Sequence, residues 1–263
     1  MFKNYHGLGK LMFVFAFITT LAACGSTPNN YLPQAATNEI NSTDIYVVLP
    51  QKEIVAEIDR SSVAAAGGGG LLLALIDVAV ENSRASTAEE LIQPIKDSLI
   101  ETSFNKLFLD ALNEEFDAVN WMKIRDVKLI SDITETTVED HYKGTDAQTV
   151  TFINTNYSLS PDFSSLKAYA NLSMLPKSEE LKKYSEKATS KKAKQYAWHN
   201  DNNIYRDSVI VSSKLNSTTT DKEENAKVLA NNADELKAEF SNVARKLAKQ
   251  VVSSMNTTEV APN

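Results

Sequence analysis

The sequence predicts an α+β domain: a four- to five-stranded, mainly antiparallel sheet with two or three helices packed on one face, including a long C-terminal helix. Three observations carry this. Leu166, Ala168, Ala170, Leu172 and Met174 fall at strict period two, the pattern of a half-buried antiparallel strand. Leu229, Ala233, Leu236, Phe240, Val243, Ala244, Leu247 and Val251 recur at three and four, which makes the best-patterned helix in the chain. The element order from residue 44 onward is one or two strands, two helices, four strands and a final helix, with antiparallel signals in the middle.

The chain opens on residues 1–10, which hold Lys3 and Lys10 and no acid. Residues 11–23 (LMFVFAFITTLAA) form an uncharged, mostly apolar run of thirteen. That is shorter than the about 20 residues a membrane-spanning helix needs, and it suits the apolar part of a secretory signal. The run ends at Leu21-Ala22-Ala23-Cys24, and Cys24 is the one cysteine of the chain. This tetrapeptide resembles the lipobox of bacterial lipoproteins, and the resemblance covers residues 1–24 only. It implies that residues 1–23 are removed. It also implies that Cys24 carries covalent diacylglycerol and an acyl chain such as palmitate, with no other cofactor expected. Gly25, where many Gram-negative lipoproteins kept in the inner membrane have Asp, implies the outer membrane with the domain facing the periplasm.

Residues 25–43 are polar, with two prolines. With the lipidated Cys24 they read as a flexible tether over 24–43. One domain is then expected over 44–256, with a loose tail over 257–263. Residues 44–49 (DIYVVL) are β-branched and aromatic, a first strand ended by Pro50, and residues 53–58 (EIVAEI) offer a second short one.

Residues 63–76 contain no polar side chain and include four consecutive glycines, Gly67, Gly68, Gly69 and Gly70. A transmembrane helix would be short, and each glycine costs it about 1 kcal/mol relative to alanine. A phosphate-binding loop would need the Gly-Lys-Ser/Thr ending or the GxGxxG spacing, and both are missing. The run therefore reads as a buried segment leading into a helix over about 71–82. A mobile apolar loop that inserts into a membrane or a partner is the functional alternative.

Thr87 and Glu90 form a capping box for a helix running to about residue 116, with Pro94 near its first turn. Residues 121–130 read as a strand, 131–148 as a polar loop, and 149–159 as a strand with Val150 and Phe152 on one face and Ile153, Tyr157 and Leu159 on the other. Residues 177–202 form a charged connection with seven lysines, helical in part. Its functional reading is a basic patch, Lys182, Lys183, Lys191 and Lys192 foremost, facing acidic lipid headgroups or cell-wall polymer. The competing reading is a solvated excursion between strands. Residues 204–215 return to strand, and Asp221 opens the last helix.

The formal net charge is −7, and removal of Lys3 and Lys10 takes it to −9. Nucleic acid, which demands basic surfaces, is not an expected partner. With the one thiol lipidated, cysteine catalysis and cysteine metal sites are excluded. No metal site is expected: His141 sits among Glu139, Asp140 and Asp146, and His199 beside Asp201, without paired-His spacing. Ser164 and Lys167 match the S-x-x-K of acyl-serine enzymes, but the Ser-Asp-Asn and Lys-Thr-Gly partners are missing. The expectation is a membrane-anchored, non-enzymatic accessory or assembly factor that binds another envelope protein or itself. An enzyme acting on cell-wall or lipid substrates and a structural subunit of a homo-oligomer are the alternatives.

Overall fold

Asn30 is already tied into the sheet. Its backbone N–H and carbonyl each pair with those of Arg206 at 2.8 Å. β1 (Leu32–Pro33) then runs parallel to β8 (Thr258–Glu259), and α1 (Gln34–Glu39) follows. Leu32, Ala36 and Ile40 enter the main core. The tether expected over 24–43 is thus corrected for residues 30–43. Burying side chains such as Leu32 and Ile40 stabilises by roughly 1.5–3 kcal/mol each, enough to dock a polar run. At Thr258 and Glu259 the expected loose tail is instead the backbone of β8, paired with β1.

The computed structural model describes residues 30–57, 82–131, 135–185, 190–216, 219–256 and 258–259. Apart from Asn82 they belong to one unit, Asn29–Ile58 with Ser83–Asn263. Cys24, the glycine run and the helix expected over 71–82 lie outside the described residues, Asn82 excepted.

Six strands make one sheet: β2 (Ser42–Val48), β3 (Val55–Ala56), β4 (Lys123–Ile130), β5 (Thr149–Leu159), β6 (Ser165–Pro176) and β7 (Tyr205–Lys214). The order is β4-β2-β5-β6-β7, with β3 beside the far end of β5. β2 is parallel to both β4 and β5, and β3 is parallel to β5. Only β5–β6 and β6–β7 are antiparallel. The expected four or five mainly antiparallel strands are therefore six in a mixed sheet. Parallel neighbours need long crossovers, and helices supply them. β2 lies between two strands with both faces covered, so residues 43–48 are all buried, as the near-continuous apolar run of a parallel strand implies.

Eight α-helices occur among the described residues. α2 (Asn82–Ser98) and α3 (Phe104–Phe116) replace the single helix expected to reach residue 116. The chain turns at Leu99, and Ser103 caps α3 by accepting from the Lys106 N–H at 3.3 Å. α4 (Glu135–Gly144) replaces most of the loop expected over 131–148. α5 (Glu179–Lys182) and α6 (Lys191–Gln195) are the helical parts of the lysine-rich connection, followed by a 3-10 turn at Asn200–Asn202. The last helix is also divided, into α7 (Lys222–Asn231), capped by Asp221, and α8 (Ala233–Met255).

α8 packs on α3, β6 and β7. The main core gathers Ile45, Val47, Ile153, Leu166 and Leu172 under Ile95, Phe108, Leu112, Val243 and Leu247. A second cluster lies on the other face: Tyr46, Val48, Ile130, Val150, Phe152 and Leu175 pack against Tyr142 and Val138 of α4. Helices thus cover both faces of the β4-β2-β5 half, which corrects the expectation of one covered face. α4 can do this because Val138 and Tyr142, four apart, share a helix face.

Candidate functional site

The lysine-rich connection is held in place by its asparagines. The Asn202 side-chain amide donates to the Ala193 and Tyr196 carbonyls, both at 2.8 Å, and so fastens α6 to the 3-10 turn. The Ser185 hydroxyl donates to the Asn202 carbonyl at 2.8 Å. Asn203 is fully buried and accepts from the Asn30 amide at 3.5 Å. The connection therefore sits directly beside the point where the chain enters the domain.

Two of the four candidate lysines lie at α5 and its C-terminal end. Lys182 pairs with Glu179 one turn away, and Lys183 with Glu39 of α1 at 2.8 Å. The hydrogen bond to Glu39, joined by the Tyr184 hydroxyl, holds the Lys183 ammonium above its ordinary pKa. Lys191 and Lys192 stand apart from these on α6, exposed together with Lys194. From Ser190 to Asn200 there is no acid. Tyr196 and Trp198 follow, with ring centroids 5.0 Å apart, and the Lys143 ammonium lies 4.8 Å from the Trp198 ring centre. Trp198 also leans on the second apolar cluster. The structure so divides the expected patch between two places, Lys182 and Lys183 beside α1, and Lys191 and Lys192 on α6 near Tyr196 and Trp198. Composition alone singled out the lysines and passed over Tyr196 and Trp198.

A second polar group lies on the face of β5–β6–β7 turned away from α8. Glu57 accepts from the Lys167 ammonium at 2.7 Å, the Ser158 hydroxyl at 2.9 Å and the Tyr169 hydroxyl at 3.1 Å. Burial, then the Glu57 charge, pushes the Tyr169 phenol up to about 12. Tyr169 pairs across the sheet with Ile210, which is 59% exposed. The signal for this group is the polar side of the same period-two strand, where the sequence draws attention to Lys167 through the S-x-x-K match but not to Tyr169. Ser164 donates instead to Asp162 at 2.8 Å, so the S-x-x-K pair is divided between two local networks.

His141 lies 4.3 Å from the Tyr46 ring, and desolvation, with the Lys128 charge, lowers its pKa. Two of its three acidic neighbours turn elsewhere, Glu139 to Lys143 and Asp146 to Arg125, while the Asp140 charge opposes the lowering. Among the described residues no group of three or more His, Cys, Asp or Glu could hold a metal ion. No described helix is long and apolar enough to cross a membrane.

A cavity of about 230 Å³ opens between α2 and the β2–β3 link, lined by Glu53, Lys96, Asp97, Leu99, Tyr157 and Phe240 among others. It brings two carboxylates, Glu53 and Asp97, to one pocket. Each is engaged: Glu53 by Lys96 at 3.6 Å and Asp97 by the Gln93 amide at 2.9 Å. Of its lining, Tyr157 and Phe240 meet edge-on, and Phe104 behind them stacks on Tyr157.

No family model matches the chain, and no curated protein matches it. Solved structures that bear a distant likeness include the following two. One is the PelC dodecamer from Paraburkholderia phytofirmans, at 10% identity and TM-score 0.32, covering 88% of this chain and 97% of that one. The other is a DUF330 protein from Xanthomonas campestris, at 10% identity and TM-score 0.34, covering 88% of this chain and 93% of that one.

Proposed function

We propose that the protein is a lipoprotein of the bacterial envelope, anchored through Cys24 and facing the periplasm. Its mixed domain binds another envelope component rather than catalysing a reaction. The observation that carries this reading is the Leu21-Ala22-Ala23-Cys24 tetrapeptide behind an uncharged run of thirteen residues. Supporting it, Asn30 is only six positions past Cys24. Gly25 favours the outer membrane. Each buried methylene of an anchor contributes roughly 0.8 kcal/mol, so two or three acyl chains hold a protein of this size durably. The test is Cys24→Ala in cells. The variant is expected to lose labelling by radioactive palmitate and to leave the membrane fraction or remain as precursor. Normal labelling and fractionation of Cys24→Ala overturns the reading.

The binding role is supported by the exposed Ile210, which lies beside the partly exposed Tyr169 on the face of β6 and β7 turned away from α8. Cross-linking in living cells, read by mass spectrometry, distinguishes a protein partner from a second copy of this chain. Ile210→Asp is expected to abolish the recurrent adduct. Absence of any specific adduct favours the enzymatic alternative, with the Glu53 and Asp97 cavity as the place to look.

A further inference from the structure

We propose that the outer edge of β7 pairs with the β7 edge of a second copy of this chain, antiparallel about a two-fold axis at Val211, so that two sheets continue as one. This rests on the binding reading above and names its partner.

Hydrogen bonding is the first argument. The sheet ends at β7, which has β6 on its inner side. Arg206 turns both of its backbone groups away from β6, to Asn30. The β6–β7 register is unbroken from Tyr205 to Lys214. Backbone groups alternate in direction along a strand, so Ser208, Ile210, Ser212 and Lys214 direct theirs to the same outer edge as Arg206. The Leu215 N–H, odd-numbered, bonds the Ser164 carbonyl on the inner side, as the alternation requires. The Ser208 N–H is taken by Asp207 Oδ1 at 2.7 Å. Among the described residues no partner meets the Ser208 carbonyl or the backbone groups of Ile210 and Ser212.

The contrast between the two ends of the sheet is the second argument. An open strand edge invites pairing unless charges, prolines or bulges guard it. β4, at the opposite end, is guarded: Lys123, Arg125, Asp126 and Lys128 are exposed along it, and its register with β2 slips by one at Arg125. Residues 208–213 (SVIVSS) hold no charge, proline or glycine. Ser208, Ile210 and Ser212 are exposed there.

Symmetry selects the occupant. Asn30 holds the edge at Arg206, which leaves residues 208–214, and their midpoint is Val211. A two-fold axis there sets Ile210 opposite Ser212, and Ser208 opposite Lys214, of the other copy. No charge then faces a like charge. Ile210 and Ser212 exchange their free N–H and carbonyl groups, and the two Ile210 side chains become diagonal neighbours on one face, within reach of each other. Such an interface is self-complementary and closed. Joining β7 to β7 leaves the guarded β4 at both outer ends, so growth stops at two chains.

The test uses the mature chain carrying Cys24→Ser, followed by light scattering over a range of concentrations. A mass of two chains is expected, falling to one on dilution. Ser212→Pro removes an N–H that faces away from β6, a place where an edge strand tolerates proline. It is expected to give one chain at every concentration, with an unchanged circular dichroism spectrum and urea midpoint. Ser212→Lys, which spares the backbone altogether, is expected to weaken association, most strongly at low salt. Ile210→Cys is expected to form a covalent dimer with a short bis-maleimide, and Lys128→Cys on β4 is not. A single-chain mass at all concentrations, a dimer that survives both Ser212 variants, or equal cross-linking from Lys128→Cys overturns the proposal. The two readings fail separately. A monomer in solution with a recurrent foreign adduct in cells removes the second copy and leaves the binding role. A β7 dimer with catalysis in the Glu53 and Asp97 cavity removes the non-catalytic role and leaves the pairing.

Discussion

The side-chain amide of Gln51 pairs with both backbone groups of Tyr157. Its Nε2 donates to the Tyr157 carbonyl at 2.7 Å, and its Oε1 accepts from the Tyr157 N–H at 3.1 Å. The amide stands in for a strand. β2 lies along residues 149–154 of β5, β3 resumes at residues 158–159, and Gln51 fills the interval between them. Gln51→Leu leaves a buried donor and acceptor of Tyr157 unpaired, at about 1–3 kcal/mol for each such group. A loss of about 2 kcal/mol or more is expected in urea denaturation. Gln51→Glu keeps the acceptor and loses the donor, so it is expected to fall between the two. Wild-type stability of Gln51→Leu would show that water replaces the amide.

Phe163 has a positive φ of 59° and is 1% exposed. It lies in the β5–β6 turn, where its N–H bonds the Ser160 carbonyl at 2.8 Å. Two effects oppose each other. The left-handed backbone costs a non-glycine residue roughly 1–2 kcal/mol, while removing a buried Phe side chain costs roughly 3–5 kcal/mol. Packing wins, so Phe163→Gly is expected to destabilise. It is also expected to be more stable than Phe163→Ala by about 1 kcal/mol, the reverse of the usual order. Denaturation midpoints of the two variants decide it, and the ordinary Ala-over-Gly order would refute the strain.

Side chains that report their own surroundings made the antiparallel half of the sheet and α8 legible. Leu166 to Met174 alternate because one face of β6 is buried, and α8 shows an unbroken stripe. The parallel half was hidden for a physical reason. Residues 44–49 say that a strand is buried on both faces, but nothing local states which strands flank it or in which direction. α4 was missed because Val138 and Tyr142 are its only large apolar contacts in a polar stretch. The division between α2 and α3 was masked by Leu99 and Ile100, which continue the apolar pattern although Ile100 is 86% exposed. In the lysine-rich connection, the Lys182–Glu179 pair is readable at a spacing of three. Lys183 meets Glu39 across 144 positions, a partner that only the fold supplies.

Asp162 and Glu239 are two carboxylates that the fold holds in their charged form. Asp162 is held below its ordinary 3.8, first by the hydrogen bond from the Ser160 hydroxyl and then by Ser164. Glu239 is held below its ordinary 4.5, first by the Ser213 hydroxyl and then by the Asn242 amide. A carboxylate whose folded pKa is depressed stabilises the fold fully above its unfolded pKa. That contribution is lost as pH falls through the folded value. Stability is therefore expected to hold above about pH 5 and to decline through pH 4 and below. Asp162→Asn and Glu239→Gln together are expected to flatten the decline in urea titrations run at successive pH values. An unchanged slope would assign acid sensitivity to other groups.

Ser254 of α8 joins two buried side chains of β7. Its hydroxyl donates to Asp207 Oδ2, which leaves the Tyr205 hydroxyl as the donor to Ser254 Oγ. The Ser208 N–H supplies the other Asp207 oxygen at 2.7 Å. This relay fixes the C-terminal turn of α8 against the start of β7, next to Asn30, where the chain enters the domain. Ser254→Ala strands both neighbours, and a loss of about 2–3 kcal/mol is expected from an unpaired phenol and a weakened carboxylate site. Tyr205→Phe leaves the Ser254–Asp207 bond intact, so about 1 kcal/mol is expected. Because the two changes break one chain of bonds, the double variant should cost clearly less than the sum of the singles. Strict additivity in a double-mutant cycle would mean that the three groups are held independently, and the last turns of α8 would then owe their docking to apolar side chains such as Val251, Val252 and Met255.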